Sequence, residues 1–127
     1  MHKVPCGPTA FFDVDGTLLS WDTPEGVDIN DDRMVSVRCR GHCEKLFPNQ
    51  HNIKLLKQFA QRGIAVIVWS AGGSDWAEAV VQALNLEEYV SVVTGKPDYY
   101  IDDLENPREF MGKHIFINLD GENNAKK

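Results

Sequence analysis

Paired carboxylates occur at two places where an apolar segment of the chain ends. Asp13 and Asp15 close one such segment near the N-terminus, and Asp102 and Asp103 follow another near the C-terminus. Four carboxylates near one another are unfavourable, because like charges repel and are poorly solvated in a cleft. A divalent cation would make the cluster favourable, and oxygen ligands with room for water and phosphate suit Mg²⁺. The acidic pairs therefore predict a magnesium site.

The spacing of Asp13 and Asp15 allows two carboxylates to act on one substrate, because residues i and i+2 of a β-strand share a face. One carboxylate can attack phosphorus and form an aspartyl-phosphate. The other can protonate the leaving alkoxide and then activate water for the second step. A plain turn is the alternative interpretation, since Asp and Gly are common turn formers.

Polar residues of two further loops could bind a phosphoryl group. Ser70 ends an apolar segment, and Lys96 lies in the loop before residues 99–101. The Ser70 hydroxyl and the Lys96 ammonium, together with the cation, would neutralise and orient the phosphoryl group. Backbone N–H groups of the turn that begins at Ala71 would add anion-binding donors. Taken alone, Ser70 is more often a capping residue and Lys96 more often a solvated one.

Alternating strand and helix patterns place these residues at one edge of a predicted sheet. Strands are expected at residues 9–14, 64–69, 89–93, 99–101 and 114–118. Helices are expected from Asn49 or Asn52 to about Arg62, from a cap at Ser74 onward, and near residues 107–111. A hairpin is expected to turn near residues 40–42. This order implies a parallel sheet with helices on both faces. In such sheets the ligand lies beyond the carboxyl ends of the strands.

Composition and charge are those of one globular domain, which we expect to span residues 1–127. The hydrophobic share of 43% and the charged share of 25% are ordinary, and the net charge of −6 argues against a strongly basic nucleic-acid surface. No apolar stretch approaches the ~20 residues of a membrane helix, and we expect no signal peptide. The three cysteines, Cys6, Cys39 and Cys43, are odd in number and indicate reduced thiols and a cytoplasmic location.

Other residue clusters favour structural roles. Cys39, His42 and Cys43 could suggest zinc, but a second Cys pair is missing and two incidental thiols are favoured. The hairpin also carries a basic cluster. It is expected to form a solvated face of the hairpin. The alternative is that the hairpin is an arm that contacts an anionic substrate. The members of the cluster are Arg33, Arg38 and Arg40. Trp69 and Trp76 are expected in the core rather than in a stacking platform, and Trp21 is expected to border the site.

The candidate residues fall into four segments that resemble, in order, the motifs of the haloacid-dehalogenase-like superfamily. Residues 13–18 (DVDGTL) resemble the first motif, and residues 69–73 (WSAGG) resemble the second. Residues 95–97 (GKP) resemble the lysine motif, and residues 101–103 (IDD) resemble the acidic motif. The resemblance implies a Rossmann-like three-layer α/β sandwich with a central parallel sheet, a small β-hairpin flap and no cap domain.

The resemblance also implies roles for the carboxylates. Asp13 becomes the nucleophile and Asp15 the general acid and base. Mg²⁺ would be held by the Asp13 carboxylate, the Asp15 backbone carbonyl and Asp102, with Asp103 as a second or a water-mediated ligand. Within the family, an aspartate at the position of Asp15 marks phosphatases.

A magnesium-dependent phosphatase acting on a phosphate monoester is therefore expected. By the same resemblance, Ser70 binds the phosphoryl group and Lys96 steadies the charge of Asp13 and of the phosphate. Without a cap domain the site is open, and it accepts a bulky substrate or is closed by another subunit of a homo-oligomer. Small molecules, polynucleotide ends and phosphoproteins all remain as substrates. The alternative is a phosphate- and magnesium-binding regulatory or partner-binding module of the same fold without turnover.

Overall fold

A computed structural model of the chain describes residues 7–117 and the backbone of residues 123–125. In chain order these residues form β1 (Thr9–Asp13), β2 (Leu19–Ser20), β3 (Val35–Cys39), β4 (His42–Pro48), α1 (Gln50–Gln61), β5 (Ala65–Ser70), α2 (Ser74–Ala83), β6 (Val92–Gly95), β7 (Ile115–Ile117) and β8 (Asn123–Ala125). Short 3₁₀ helices lie at Glu87–Tyr89 and Pro107–Glu109. The chain divides into two compact units, Met1–Lys96 and Pro97–Lys127. None of the described helices has the length and apolar character needed to cross a bilayer.

The first unit is built on a parallel three-stranded sheet with the strand order β1-β5-β6. Alternation along the strands places Phe12, Val66 and Val68 on one face of this sheet. These side chains are buried in the same core as Leu56 of α1 and Val80 of α2. Both helices therefore cover the same face, and the fold is mixed α/β.

The opposite face of the sheet is less covered, since Phe11 is 51% exposed and Val92 is 49% exposed. The parallel sheet and its two helices thus form two layers, where helices on both faces were expected. Parallel crossovers are right-handed in nearly all proteins. The crossovers from β1 through α1 to β5 and from β5 through α2 to β6 step in the same direction across the sheet. They therefore place both helices on one face.

The segment between β1 and α1 forms a second, antiparallel sheet with the strand order β2-β4-β3. Strands β3 and β4 are joined by Arg40 and Gly41, whose φ angles of 50° and 80° are both positive. A two-residue turn of this kind matches the twist of the paired strands. Val37 and Leu46 are fully buried and join the main core. The predicted hairpin is confirmed, and we call the three strands the flap.

The flap separates the two described thiols. Cys39 pairs with His42 across the hairpin, whereas Cys43 pairs with Arg38. Directly opposed residues share a face and successive residues alternate between faces. Cys39 and Cys43 therefore lie on opposite faces of the hairpin and cannot bind one metal ion there. Both are free thiols, and Cys6 lies outside the described residues.

The N-terminal cap of α1 is the one that the sequence predicts, whereas that of α2 is not. Asn49 caps α1 by accepting a hydrogen bond from the Asn52 N–H at 3.1 Å, and Gly63 follows the helix with φ of 82°. This confirms the predicted helix. The predicted Ser74 cap of α2 is wrong, because Gly73 occupies that position with φ of 103° and Ser74 is the first helical residue. Glycine adopts this backbone conformation without strain.

The second unit departs from the predicted parallel sheet. Residues 99–101 form no strand among the described residues, and the Ile101 side chain is 96% exposed. Strand β7 confirms most of the strand expected at 114–118, but it pairs antiparallel with β8, with Ile115 opposite Ala125. Two short strands close in sequence pair most readily in this way, because parallel pairing needs a long crossover. Residue 118 lies outside the described residues.

Asn52 joins α1 to the loop that follows β1. Its side chain is fully buried, and its Nδ2 donates a hydrogen bond to the carbonyl of Thr17 at 2.9 Å. The backbone N–H of Asn49 donates to the carbonyl of Leu18 at 2.8 Å. Two carbonyl groups of the loop are thereby fixed to the start of the helix.

Replacing Asn52 with alanine should lower the free energy of unfolding by about 1–3 kcal/mol, because the half-buried Thr17 carbonyl loses its donor. Urea unfolding measures the change. Gln58→Ala is the matched control, since Gln58 is exposed on the same helix and its truncation should have little effect. Equal stabilities of Asn52→Ala and Gln58→Ala would contradict the assigned contact.

Candidate active site

The loop after β1 returns the chain toward the end of the strand. The carbonyl of Val14 accepts hydrogen bonds from the N–H groups of Thr17 at 3.2 Å and of Leu18 at 2.9 Å. Gly16 lies in this loop with φ of 82°, a conformation that favours glycine. As a result, the Thr17 hydroxyl donates to Oδ2 of Asp13 at 3.0 Å. The loop therefore holds one oxygen of the predicted nucleophile.

The end of β5 places Lys96 beside the same carboxylate. The carbonyl of Ser70 accepts hydrogen bonds from the backbone N–H groups of Lys96 at 2.8 Å and of Gly73 at 3.1 Å. The Lys96 side chain then extends to Asp13, with Nζ 2.9 Å from Oδ1. Both carboxylate oxygens of Asp13 are therefore bound, one by an ammonium and one by a hydroxyl.

Asp15 is held by neutral donors from three parts of the first unit. Its Oδ1 accepts hydrogen bonds from Nε1 of Trp21 at 2.8 Å and from Nε1 of Trp76 at 3.1 Å. Its Oδ2 lies 3.4 Å from the Ser70 hydroxyl. That hydroxyl also accepts from the N–H of Gly72 at 2.9 Å. Ser70 thus connects Asp15 with the turn that follows β5.

Four predicted residues are therefore brought together at the carboxyl edge of β1 and β5: Asp13, Asp15, Ser70 and Lys96. Ala71, the fifth predicted residue of this unit, is exposed in the turn after β5. Ser70 is 1% exposed, whereas the Asp13 and Lys96 side chains are 33% and 37% exposed. The site thus combines a buried hydroxyl with an ion pair that solvent reaches.

The other two predicted residues, Asp102 and Asp103, belong to the second unit. Both are exposed in a loop. Oδ1 of Asp102 accepts a hydrogen bond from the N–H of Leu104 at 2.7 Å. This is an Asx-turn, a local contact that carboxylates commonly make.

The charges of the first-unit site suit a cation. Asp13 and Asp15 carry two negative charges and Lys96 one positive charge, so these three side chains sum to −1. Within the described ranges, no group of three or more acidic, His or Cys side chains is close enough to hold a metal ion. Mg²⁺ commonly binds one or two carboxylates and completes its octahedron with water and phosphate oxygens. The oxygen donors at the end of β1, among them the one-third-exposed Asp13 carboxylate, are of the type that such an ion binds.

Sequence reasoning missed the site contacts of Thr17 and Trp76. Thr17 lies inside the DVDGTL segment, so its position was visible although its bond to Asp13 was not. Trp76 was expected in the core, and its ring does pack there. Its N–H group nevertheless reaches Asp15, as its position in the first turn of the helix after Ser70 permits. Trp21 borders the site, as predicted.

Two members of the basic cluster bind carboxylates of the chain itself. Nε and Nη2 of Arg40 both contact Oδ2 of Asp75, at 2.9 and 2.6 Å. This hydrogen-bonded contact raises the pKa of the Arg40 guanidinium above its usual value. Hydrogen bonds from Arg33 lower the pKa of Asp31 to about 2. Arg38 is exposed. The Arg40 pair joins the tip of the flap to the start of α2.

Comparison of the chain with protein-family models, with curated proteins and with solved structures finds no match in any of the three. The function proposed below therefore depends on the motifs of the chain and on the contacts of their side chains.

The ion pair between Lys96 and Asp13 should contribute modestly to stability, because both side chains are about one-third exposed and solvent screens their attraction. We expect a double-mutant cycle of Asp13→Asn and Lys96→Met to give a coupling free energy of about 0.2–1 kcal/mol in urea unfolding. The coupling should shrink in high salt. Additive effects of the two substitutions would contradict the pairing.

Proposed function

We propose that the chain is a magnesium-dependent phosphatase of the haloacid-dehalogenase-like kind, which hydrolyses a phosphate monoester through a phosphorylated Asp13. The observation that carries the proposal is the contrast between two neighbouring carboxylates. Asp13 is bound by Lys96 and Thr17, whereas Asp15 is bound by two indole N–H groups. Different surroundings suit the different roles of nucleophile and proton donor.

In the proposed reaction, an oxygen of Asp13 attacks phosphorus and the bond from phosphorus to the ester oxygen breaks. Lys96 and Thr17 limit the rotation of the carboxylate, which favours a defined direction of attack. Asp15 gives a proton to the departing alkoxide. Asp15 then takes a proton from water, which attacks phosphorus. The bond from phosphorus to the Asp13 oxygen breaks, and inorganic phosphate leaves.

The phosphoryl group would be bound by the turn after β5. The Ser70 hydroxyl and the N–H of Ala71 are the proposed donors, and Lys96 adds positive charge beside Asp13. Ser70 is buried at the strand end, so its hydroxyl is held in place before substrate arrives, whereas Ala71 lies in the exposed turn that follows. Donors fixed in this way stabilise developing charge without reorganisation.

Mg²⁺ is the proposed cofactor, and when bound it would offset the negative charge of the phosphoryl group. Its proposed ligands in the first unit are the Asp13 carboxylate and the Asp15 backbone carbonyl. The resemblance of residues 101–103 to the acidic motif assigns the remaining protein ligand to Asp102 or Asp103. The same resemblance supports a Rossmann-like core without a cap domain and a phosphorylated substrate. The odd number of cysteines supports a cytoplasmic location.

Replacing Asp13 with asparagine should lower magnesium-dependent hydrolysis of an aryl phosphate by at least about a thousandfold, because the amide is a poor nucleophile. A chelator should abolish the activity of the unsubstituted chain. Asp32→Asn is the matched control, since Asp32 is exposed in the loop before β3. If Asp13→Asn retained activity, the assignment of Asp13 as the nucleophile would be wrong.

The same assay separates the proposal from its alternative, a phosphate-binding regulatory module. A module of that kind would show no turnover but would retain phosphate on Asp13 after treatment with a small phosphodonor. Mass spectrometry of the intact chain detects this adduct as a mass increase that Asp13→Asn lacks. In a phosphatase, Asp15 should keep the adduct short-lived, and Asp15→Asn should prolong it.

Asp102→Asn and Asp103→Asn should identify the metal ligand of the second unit. Loss of the direct ligand should raise the magnesium concentration for half-maximal activity by more than about tenfold, and loss of a water-mediated one by less. Glu105→Gln, a nearby exposed acid, serves as the control. Unchanged magnesium dependence in both aspartate variants would overturn the assignment of this motif.

A further inference from the structure

One oxygen of Asp15 receives two hydrogen bonds from tryptophan side chains of different elements. Trp21 follows β2 in the flap, and Trp76 lies in the first turn of α2. Their rings stack with centroids 5.6 Å apart and an interplanar angle of 22°. The two rings lie in nearly parallel planes. Both Nε1–H groups donate to Oδ1 of Asp15.

The two donors make the oxygens of Asp15 unequal. An indole N–H can only donate a hydrogen bond, so an oxygen that faces two of them acts as an acceptor. Among the residues that the structure describes, the contact given for Oδ2 is that with the Ser70 hydroxyl, and its 3.4 Å is long for a hydrogen bond between two oxygens. Oδ2 is therefore the less constrained oxygen, and in the proposed reaction it is the one that would face the leaving group.

We infer that Trp21 and Trp76 are positioning residues for Asp15, which hold Oδ1 and leave Oδ2 to deliver the proton to the leaving group. The inference rests on the proposed function, in which Asp15 is the general acid. Neither tryptophan forms or breaks a bond in the reaction. Each acts by restricting the carboxylate to the orientation in which Oδ2 faces the Ser70 side of the site.

The location of Trp21 shows that the flap, and not the core alone, takes part in positioning Asp15. Trp76 is partly buried and packs against the hydrophobic core, whereas Trp21 is 54% exposed. About half of the Trp21 surface stays in contact with solvent, so burial stabilises its position less than it does that of Trp76. Its placement instead follows from the stack with Trp76, the bond to Asp15 and the pairing of β2 with β4. The flap thus contributes directly to the environment of Asp15.

The contact itself is tested by NMR spectroscopy, independently of any activity. The chain contains three tryptophans, so three indole N–H signals are expected, and each Trp→Phe variant identifies one of them. Asp15→Ala should shift the signals of Trp21 and Trp76 and leave that of Trp69 nearly unchanged. Unshifted signals of Trp21 and Trp76 would overturn the inference.

The positioning role is tested by comparing two substrates. Protonation matters greatly for an alkyl phosphate and little for a dinitrophenyl phosphate, whose leaving group is already stable as an anion. Trp21→Phe and Trp76→Phe keep an aromatic ring but remove the donor. Each should lower kcat/KM for the alkyl ester by about 3–30-fold and for the aryl ester by less than about twofold. Trp69→Phe is the matched control and should leave the ratio of the two values unchanged.

A further variant shows whether the tryptophans act through Asp15. In an Asp15→Asn background the proton donor is gone, so adding Trp21→Phe should not change the ratio between the two esters. Equal losses on both esters, with wild-type turnover intact, would overturn the positioning role alone. Absence of any turnover that depends on Asp13 would instead overturn the proposed function.

Discussion

The structure of the first unit depends on holding two carboxylates, Asp13 and Asp15, two residues apart at the end of one strand. A carboxylate taken out of bulk water is costly unless it is paired or hydrogen-bonded. Asp13 obtains a cation from the end of β6 and a hydroxyl from the loop after β1. Asp15 obtains neutral N–H donors from the flap and from α2. Four separate segments therefore converge on these two side chains.

The core supplies the rigidity that this convergence needs. Phe12, Val66 and Val68 line the face of the sheet on which both helices pack, and none of the three is more than 6% exposed. The carboxyl ends of β1 and β5 are thereby fixed side by side, with Asp13 opposite Trp69 in the parallel register. Functional side chains placed on packed strand ends vary less in position than side chains on free loops.

Helix α1 and the hairpin could be predicted from the sequence, because capping and turn residues mark their ends. Asn49 and Gly63 bracket α1, and the hairpin turn at Arg40 was found from alternation and a following glycine. The prediction of a strand at residues 99–101 was wrong, because an apolar segment forms a strand only when a partner strand is available to it. The bond from Trp76 to Asp15 spans 61 positions. A contact between such distant side chains depends on tertiary packing and leaves no pattern in the local sequence.

The flap is better understood as a fixed wall of the site than as a mobile lid. Its ion pair between Arg40 and Asp75 is exposed and screened by solvent, so this contact alone would hold the tip weakly. The body of the flap is held instead by Val37 and Leu46, which are fully buried in the core shared with both helices. Because opening the flap would expose these apolar side chains to water, the closed position is favoured. Trp21, which follows β2, therefore reaches Asp15 from a segment that is anchored in the hydrophobic core.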